Sequence, residues 1–486
     1  MKKTLKYLAI ITLIAFFASC NKDDGPGGGE TPPPAPPPEE DILPKKEMRA
    51  VWIATVSSID WPKSYNAVAQ KQEYINYLNK FVELNINTVF VQVRPTGDAF
   101  YNSEYEPWCR FITGTEGQDP GYDVLQFMLD EAHKRNIEFH AWLNPFRIDT
   151  RASKTASYRP LHAKIPPELV KDYDRWRIYN PALPGVHQRI ADIVKDLITK
   201  YDVDGIHFDD YFYPDPAYYA STGVDDAAEY AQYGAGYATV QEFRFGNVNK
   251  VVQKLQETIA ENNPGVVFSI SPTSSVNYNR SLYADVEKWC KEGWIDVVIP
   301  QIYQQTGSAN NEFNYFVDYW PHFSFKAVPM IGYAIYKFGV AAEIKNAPKF
   351  ANASELTEQF RLAGLQSKVK GSVLYNASSV MTNNVGVTDA LKNIYKYPAV
   401  RPFLGRKTLS DPKVPGNVAL NGATLTWNAY GLQAVVYVTP ENETKPHVVA
   451  ITSASSYQVS EKGQYVVTAV NKDNTESPVS AAVTYK

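Results

Sequence analysis

The sequence predicts an α/β fold, namely a (β/α)8 TIM-like barrel followed by a small all-β sandwich. Its 486 residues exceed one ordinary domain and leave ample length for a large core. Between Lys45 and about Arg406, eight short apolar runs alternate with stretches of helical spacing. After Pro412 the pattern changes to short alternating runs separated by turn residues. An open doubly wound sheet is the alternative, weakened because no Gly-rich phosphate turn follows the first strand.

Residues 1–19 carry the pattern of a lipoprotein signal peptide. Lys2 and Lys3 precede the apolar run LAIITLIAFFA, which is too short to span a bilayer as a mature helix. The ending FFASC resembles the lipobox of bacterial lipoproteins, which implies a lipid anchor on Cys20. Residues 22–24, KDD, look like an acidic export tag. We therefore expect a bacterial outer membrane lipoprotein that faces the cell exterior.

Residues 20–44 are predicted to be a tether. The stretch GPGGGETPPPAPPPEE is flexible in its Gly-rich part and extended in its Pro-rich part, so it would hold the folded body away from a membrane. The barrel is then expected over residues 45–406.

Eight apolar runs are the predicted barrel strands. They are RAVWIATV (49–56), NTVFVQV (87–93), EFHAWLN (138–144), GIHFDD (205–210), VVFSISP (266–272), DVVIPQIY (296–303), KAVPMIGYAI (326–335) and GSVLYN (371–376). Between the second and third runs, YDVLQFMLDEAHKRN repeats apolar residues at i, i+3 and i+4 and ends on a basic turn, as a helix does.

Residues 412–486 are predicted to form the sandwich. The alternating runs are ATLTWNA, QAVVYVT, PHVVAIT, SYQVS, GQYVVTAVN and SAAVTY. With Trp427 on an early strand and the closing stretch YVVTAVNKDNTESPVS, this part resembles a fibronectin type III domain. The resemblance implies a module that spaces or binds rather than catalyses.

Composition excludes some classes of partner. The formal net charge of -4 argues against a nucleic-acid partner, because such proteins usually carry a basic surface. Aromatic residues make up 13% of the chain, and part of that excess could stack on sugar rings.

Cys109 and Cys290 could pair in an oxidising compartment or stay as buried thiols.

Polar and aromatic groups follow the predicted strands where a parallel barrel places its active site. Trp52 and Trp142 lie inside the first and third strands, and His207 shares the parity of Asp209 on the fourth. The predicted catalytic residues are Asp209 and Asp210. The predicted substrate-binding residues are Arg94, Asp98, Trp142, Asn144, Arg147, His207, Tyr211, Gln301 and Tyr303. Ser271, Tyr333, Tyr375 and Asn376 also fall at strand ends.

The aspartate pair in DGIHFDDYFYP has other interpretations. It could cap a helix and form an ion pair, but an aromatic run follows it, and Arg94 and Arg147 on neighbouring strand ends are its nearest basic partners. No two of the seven histidines have HxxxH or HExxH spacing, so we expect no metal or other cofactor, which weakens a zinc-dependent deacetylase. No GxSxG elbow supports a serine hydrolase.

Glycoside hydrolysis fits the remaining residues, because it needs a proton donor and a negative group near an oxocarbenium-like transition state. A second strand-end acid is hard to find; Asp98 is the nearest candidate, with Glu242 and Asp285 in flanking segments. The scarcity suggests attack by the substrate's own 2-acetamido group, an exception to the two-carboxylate scheme. One aspartate would then orient the acetamide and its neighbour would act as acid and base, while Tyr303 could donate to the acetamide carbonyl.

Eight blocks together resemble the glycosyl-hydrolase-like family ten over residues 46 to 400. They are EMRAVWIATVSSIDWP, VFVQVRPTGDAFYNSEYEPW, FHAWLNPFR, YNPALPGVHQRI, DGIHFDDYFYP, FRFGNVNKVV, FSISP and EGWIDVVIPQIY. The resemblance implies a (β/α)8 catalytic domain that acts on glycans, and one member cuts peptidoglycan glycan strands whose stem peptides have been removed. This chain departs from the family at Gln304 and in the loop GTEGQ.

Two functions remain open from the sequence. The first is a surface-anchored glycoside hydrolase acting on N-acetylated glycans, plausibly peptidoglycan strands. The second is a carbohydrate-binding lipoprotein of the same fold that does not catalyse.

Overall fold

The computed structural model describes residues 43–151, 153, 155–173, 175–213, 224–406 and 409–486. The predicted signal peptide and the lipidation site Cys20, with nearly all of the tether, lie outside these residues. The strands are β1 (Met48–Ile53), β2 (Thr88–Arg94), β3 (Glu138–Leu143), β4 (Arg147–Thr150), β5 (Val170–Tyr173), β6 (Trp176–Tyr179), β7 (Gly205–Phe208), β8 (Val267–Ile270), β9 (Val297–Val298), β10 (Gln301–Ile302), β11 (Val328–Pro329), β12 (Ile331–Tyr333), β13 (Gly371–Leu374), β14 (Gly416–Asn421), β15 (Thr424–Asn428), β16 (Gln433–Pro440), β17 (His447–Thr452), β18 (Ser456–Gln458), β19 (Gly463–Val470) and β20 (Val483–Tyr485).

The parallel strands close a ring of eight staves, where a stave is one position around the barrel. Pairing runs from β1 through β2, β3, β7 and β8 to β9, and from β12 through β13 back to β1. β9 pairs with β11 and β10 with β12, so β9–β10 and β11–β12 are each one interrupted stave. The ladder continues across both breaks, since Met330 N–H donates to Val298 O and Gly332 N–H to Pro300 O. The predicted barrel is therefore confirmed, and all eight predicted runs contain a stave.

Alternation along each stave explains the two sides of the barrel wall. On β1, Met48, Ala50 and Trp52 belong to an apolar cluster that also contains Phe90 of β2 and Val373 of β13. Val51 and Ile53, which alternate with them on β1, pack into the larger cluster shared with the surrounding helices. Because successive strand residues point to opposite faces, a stave buried on both sides reads as a continuous apolar run.

Helices surround the ring. They are α1 (Ala67–Glu83), α2 (Arg110–Thr113), α3 (Val124–His133), α4 (Pro184–Lys200), α5 (Ala227–Tyr233), α6 (Val240–Asn262), α7 (Val276–Ser281), α8 (Val286–Glu292), α9 (Phe313–Phe323), α10 (Ala341–Ile344), α11 (Ser354–Gly364), α12 (Ala377–Thr382) and α13 (Val387–Ile394). Short 3-10 turns span Val56–Ser58, Pro167–Leu169, Ile335–Lys337, Pro348–Ala351 and Asn384–Gly386. Side chains of Asn66, Asp123 and Thr239 accept hydrogen bonds from first-turn N–H groups of α1, α3 and α6, which would otherwise lack partners. Within the described residues, no helix is both long enough and apolar enough to cross a membrane.

A small antiparallel sheet in the order β4–β6–β5 rises from the end of the third stave. This sheet was not predicted from the sequence. Its strands RIDT, VKDY and WRIY mix charged and apolar residues, so they lack the continuous apolar run that marks a stave. This sheet brings Arg147 and Trp176 to the mouth of the barrel.

Two antiparallel sheets follow the barrel, in the orders β14–β15–β18 and β17–β16–β19–β20. Strands of both contribute to one apolar cluster around Trp427, which is the arrangement of a sandwich. All six predicted alternating runs contain a strand, and β14 (GNVALN) is a further strand that was not predicted. The sandwich contacts the base of the barrel, where Asn474 Nδ2 donates to Glu138 Oε1 at 2.8 Å.

The two cysteines of the described residues, Cys109 and Cys290, are both free and buried. Burial raises the pKa of each thiol. They sit as small apolar groups in the core, as one of the two sequence interpretations expects.

Candidate active site

Asp209 follows the last residue of β7 and is held by a network of donors. Its Oδ2 accepts the indole N–H of Trp142 at 3.0 Å, and Asn144 Nδ2 donates to Oδ1 at 3.1 Å. The backbone N–H of Tyr211 also donates to Oδ1, at 3.3 Å. Burial raises the pKa of Asp209, although the positive charge of Arg147 and these hydrogen bonds oppose that shift. The network fixes the carboxyl group in one orientation on the barrel rim.

Asp210 has a different environment from its neighbour. It accepts one side-chain hydrogen bond, from Gln301 Nε2 at 3.2 Å, and Gln301 also donates to the carbonyl of Ser271. Burial and the adjacent negative charge of Asp209 raise the pKa of Asp210 to about 7. Two carboxyl groups in sequence thus have distinct protonation behaviour, as an acid–base assignment requires.

A cleft of about 190 Å³ opens beside Asp210. The side chains around it that bear on chemistry are Asn144, Arg147, Trp176, Asp210, Tyr211 and Tyr278. It lies at the carboxyl ends of the staves, which is the face where barrel enzymes place their active sites. The cleft therefore combines a protonatable carboxyl group, a cation and exposed aromatic surface.

Arg147 is positioned from two directions. Its backbone N–H donates to Asn144 Oδ1 at 2.9 Å, and Asn144 in turn donates to Asp209. Its guanidinium lies over the Tyr211 ring at 4.4 Å and over the Trp176 ring at 5.3 Å. Cation–π contacts of this kind hold a guanidinium in place while leaving its N–H groups available.

A second aromatic group stands on the opposite side of the mouth. The rings of Tyr303 and Tyr375 stack at 6.0 Å, and Tyr336 meets both edge-on. Burial raises the pKa of Tyr303 well above its usual value, with the charge of Asp210 among the causes. Tyr303 is therefore a neutral hydrogen-bond donor near Asp210.

Two predicted substrate-binding residues, Arg94 and Asp98, are committed to partners inside the protein. Arg94 forms a bidentate ion pair with Glu106, at 2.7 and 2.6 Å, and it is 1% exposed. Asp98 accepts from Thr96 Oγ1 at 2.6 Å and is fully buried. Neither residue lines the cleft beside Asp210. Arg94 also donates to the carbonyl of Asn144, so it supports the site from behind.

His207 points inward, as its parity predicts, but it lies in the barrel interior. Its Nε2 accepts the indole N–H of Trp52 at 3.1 Å, and Nδ1 lies 2.8 Å from Ser269 Oγ. Burial lowers its pKa well below the usual value, so the ring is neutral. Both ring nitrogens are occupied, which leaves the side chain a structural role in this arrangement.

The alternative acids do not reach the cleft. Glu242 and Asp285 line a separate depression outside the ring, with Trp294.

Tyr333 stacks on Phe360 of α11 at 4.4 Å and so faces the helices, not the mouth where its strand-end position predicted it. Within the described ranges, no three His, Cys, Asp or Glu side chains are grouped as metal ligands.

Trp176 lines the cleft, and Tyr336 packs against Tyr303 and Tyr375 at the mouth; neither was predicted from the sequence. Trp176 lies on β6, within the long connection of residues 144–183 between β3 and α4. A segment that long between a stave and its helix is itself a signal, because long insertions in compact domains are usually functional. Tyr336 follows the seventh stave in a 3-10 turn, three residues beyond the strand end.

Comparison with known proteins identifies relatives of this chain. The sequence profile of the family described as "Glycosyl hydrolase-like 10" matches residues 47–352. Glycosyl hydrolase YngK of Bacillus subtilis is 36% identical over 398 residues, covering 76% of each chain. Glycosyl hydrolase DigH of Escherichia coli is 33% identical over 368 residues, covering 68% of this chain and 82% of that protein. The glycoside hydrolase domain of PgaB (BpsB) from Bordetella bronchiseptica aligns with 72% of this chain and 98% of that domain, at TM-score 0.48 and 13% identity.

Proposed function

The chain belongs to the glycosyl hydrolase-like 10 family, and on that premise we propose that it hydrolyses glycosidic bonds in N-acetylated glycans. Asp210 is the proposed general acid and base, and Asp209 the group that orients and polarises the substrate. The family membership supports a glycoside hydrolase type of function, and the aspartate pair gives it a chemical basis.

One observation carries the proposal: Asp210 borders the cleft with a pKa of about 7, beside a second carboxyl group held by three donors. A proton donor works best when its pKa is near the working pH. Asp210 can therefore hold a proton for the leaving oxygen and accept one back from water.

The acetamide route accounts for the scarcity of other acids. Among the residues that the structure describes around the cleft, Asp210 is the one carboxylate in the lining. Hydrolysis assisted by the substrate replaces the second carboxylate nucleophile with the 2-acetamido oxygen. Asp209, which lies behind the cleft lining, would polarise the acetamide through its charge, and the neutral phenol of Tyr303 would donate to the acetamide carbonyl oxygen. This route predicts retention of configuration at the anomeric carbon.

Incubation of the full chain with a panel of N-acetylated glycans, followed by mass analysis of the products, tests the proposal. The panel contains chito-oligosaccharides, glycan strands of peptidoglycan freed of stem peptides, and the same strands with their peptides. We expect shorter oligosaccharides with new reducing ends. Binding without any shortened product would instead favour the second function, a non-catalytic carbohydrate-binding protein.

Peptidoglycan glycan strands are the substrate that we propose within this class, because they are rich in 2-acetamido sugars. We also propose that Cys20 carries the lipid anchor and that the protein faces outward from the outer membrane. Labelling with a radioactive fatty acid, lost in Cys20→Ser, tests the anchor. Digestion of the protein by protease added to intact cells tests its orientation.

A further inference from the structure

Among the residues that the structure describes, Arg147 is the buried arginine that has no acidic partner. It is 9% exposed, and its Nε has neither a hydrogen-bond partner nor access to solvent. No hydrogen bond or ion pair joins its guanidinium to any residue that the structure describes. The other two buried arginines of the described residues, Arg49 and Arg94, each meet a carboxylate, at 2.8 and 2.6 Å respectively. A buried cation is seldom left without an anion, so the missing partner requires an explanation.

The two active-site aspartates do not supply that partner. The Asp209 oxygens accept from Trp142, Asn144 and the Tyr211 backbone, and neither aspartate lies within ion-pair distance of Arg147. The guanidinium acts on them only through its field, which opposes the rise of both pKa values. Its N–H groups therefore remain available on the side of the cleft.

The surroundings of Arg147 suit the capture of an anion. Tyr211 and Trp176 hold the guanidinium by cation–π contact, so little side-chain freedom is lost when a ligand binds. Low solvent exposure strengthens a charge-assisted hydrogen bond, and the planar fork matches the two oxygens of a carboxylate. An anionic ligand near two aspartates also needs such a cation to offset their repulsion.

We propose that Arg147 binds a carboxylate of the substrate, so that the protein prefers an acidic glycan over a neutral one. This inference rests on the proposed hydrolysis and adds the charge of the sugar beside the scissile bond. In N-acetylated glycans the carboxylate has two sources, a lactyl ether on a muramic acid residue or the C5 carboxylate of a uronic acid. Both present the same planar anion to the guanidinium.

Binding measurements on the full chain with Asp210→Asn test the inference without turnover. The ligands are a muramic acid-containing tetrasaccharide with a free lactyl carboxylate, its methyl ester, a glucuronate-containing tetrasaccharide, and neutral chitotetraose. We expect the free acid to bind about tenfold more tightly than its ester, the usual size of a charge-assisted hydrogen bond. Comparing the lactyl and glucuronate ligands identifies the source of the carboxylate.

Arg147→Met in the same background should reduce the ratio of acid affinity to ester affinity to about one, while Arg147→Lys retains part of the preference. Arg177→Met is the matched control. Arg177 belongs to the same small sheet and contacts the Tyr158 ring at 4.5 Å, but it pairs with Asp172 and does not line the cleft. The control should keep the full preference.

Equal binding of acid and ester by the Asp210→Asn protein would overturn the inference, as would an unchanged preference in Arg147→Met or no binding of either acidic ligand. Failure of the proposed hydrolysis shows separately, as binding by the Asp210→Asn protein with no product from the native chain. If Arg147→Met misfolds, it will lose both chitotetraose binding and its thermal unfolding transition. The ratio of acid affinity to ester affinity measured for Arg147→Lys then tests the inference.

Discussion

The carboxyl group of Asp209 accepts the indole N–H of Trp142 at 3.0 Å, which links the fourth stave to the third. Trp142 lies within β3, so this donor is fixed by the barrel wall and not by a loop. Its neighbour Asp210 is bound instead toward the sixth stave, by Gln301. Two consecutive residues thus point to different staves and acquire different protonation behaviour.

Trp142→Phe should lower kcat/KM about tenfold, because it removes one donor to Asp209 without opening a large cavity. The loss of that hydrogen bond should also raise the pKa of Asp209 further. Trp289→Phe is the matched control, since the Trp289 indole donates to Asn249 outside the cleft. Equal losses in the two variants, measured with the same glycan, would contradict a special role for Trp142.

Activity should decline as the pH rises above about 7. Asp210 must carry a proton to donate it, and its pKa lies near that value. The measurement is kcat/KM across the pH range, on the substrate that the glycan panel identifies. An alkaline limb that persists unchanged in Asp210→Asn, with comparable residual rate, would assign the proton to another group.

Stability should depend on pH through the same residue. The pKa of Asp210 is raised from 3.8 to about 7 in the folded state, so folding favours its neutral form. Its stabilising contribution is complete below about pH 4 and is lost as the pH rises through about 7. As the pH rises through this interval, the thermal midpoint of Asp210→Asn should therefore increase relative to that of the native protein. A constant difference between the two midpoints would show that the group does not titrate there.

Arg401→Met should destabilise the protein by about 3 kcal/mol, because it leaves a buried carboxylate without its partner. Arg401 lies 3.0 Å from Glu138, where the sandwich meets the barrel base, and despite burial its charge helps to hold the pKa of Glu138 at about 2. The control is Lys472→Met, since Lys472 and its partner Asp202 are both more than half exposed. That change should cost less than about 1 kcal/mol by denaturant unfolding. Similar costs for the two variants would contradict the burial argument.

The position of the aspartate pair could be predicted because it needs only two rules: apolar runs mark the staves, and parallel staves deliver their last residues to one rim. The partners of the two strand-end arginines could not be predicted. Arg94 and Arg147 both lie at stave ends, yet among the described residues only Arg94 forms an ion pair there. Its partner Glu106 lies in a loop whose sequence shows no periodic pattern. Pairing of this kind depends on the path of the loop, which no local pattern records.

The depth of a side chain within the barrel and the structure of the long loops also could not be predicted from the sequence. The parity of His207 predicts its direction, but not that Ser269 and Trp52 occupy both of its nitrogens. Trp176 reaches the cleft through three short strands whose mixed composition hides them. In each case a contact between distant segments decides the role of the residue.

The most direct measurement compares release of reducing ends from an N-acetylated glycan by the native chain, by Asp210→Asn, and by Asp225→Asn. Asp225 is an exposed aspartate later in the connection that follows Asp210. We expect native release, undiminished release by Asp225→Asn, and a loss of about a hundredfold or more in Asp210→Asn, the usual contribution of a general acid. Release by Asp210→Asn at the native rate would contradict the assignment of that residue as the proton donor.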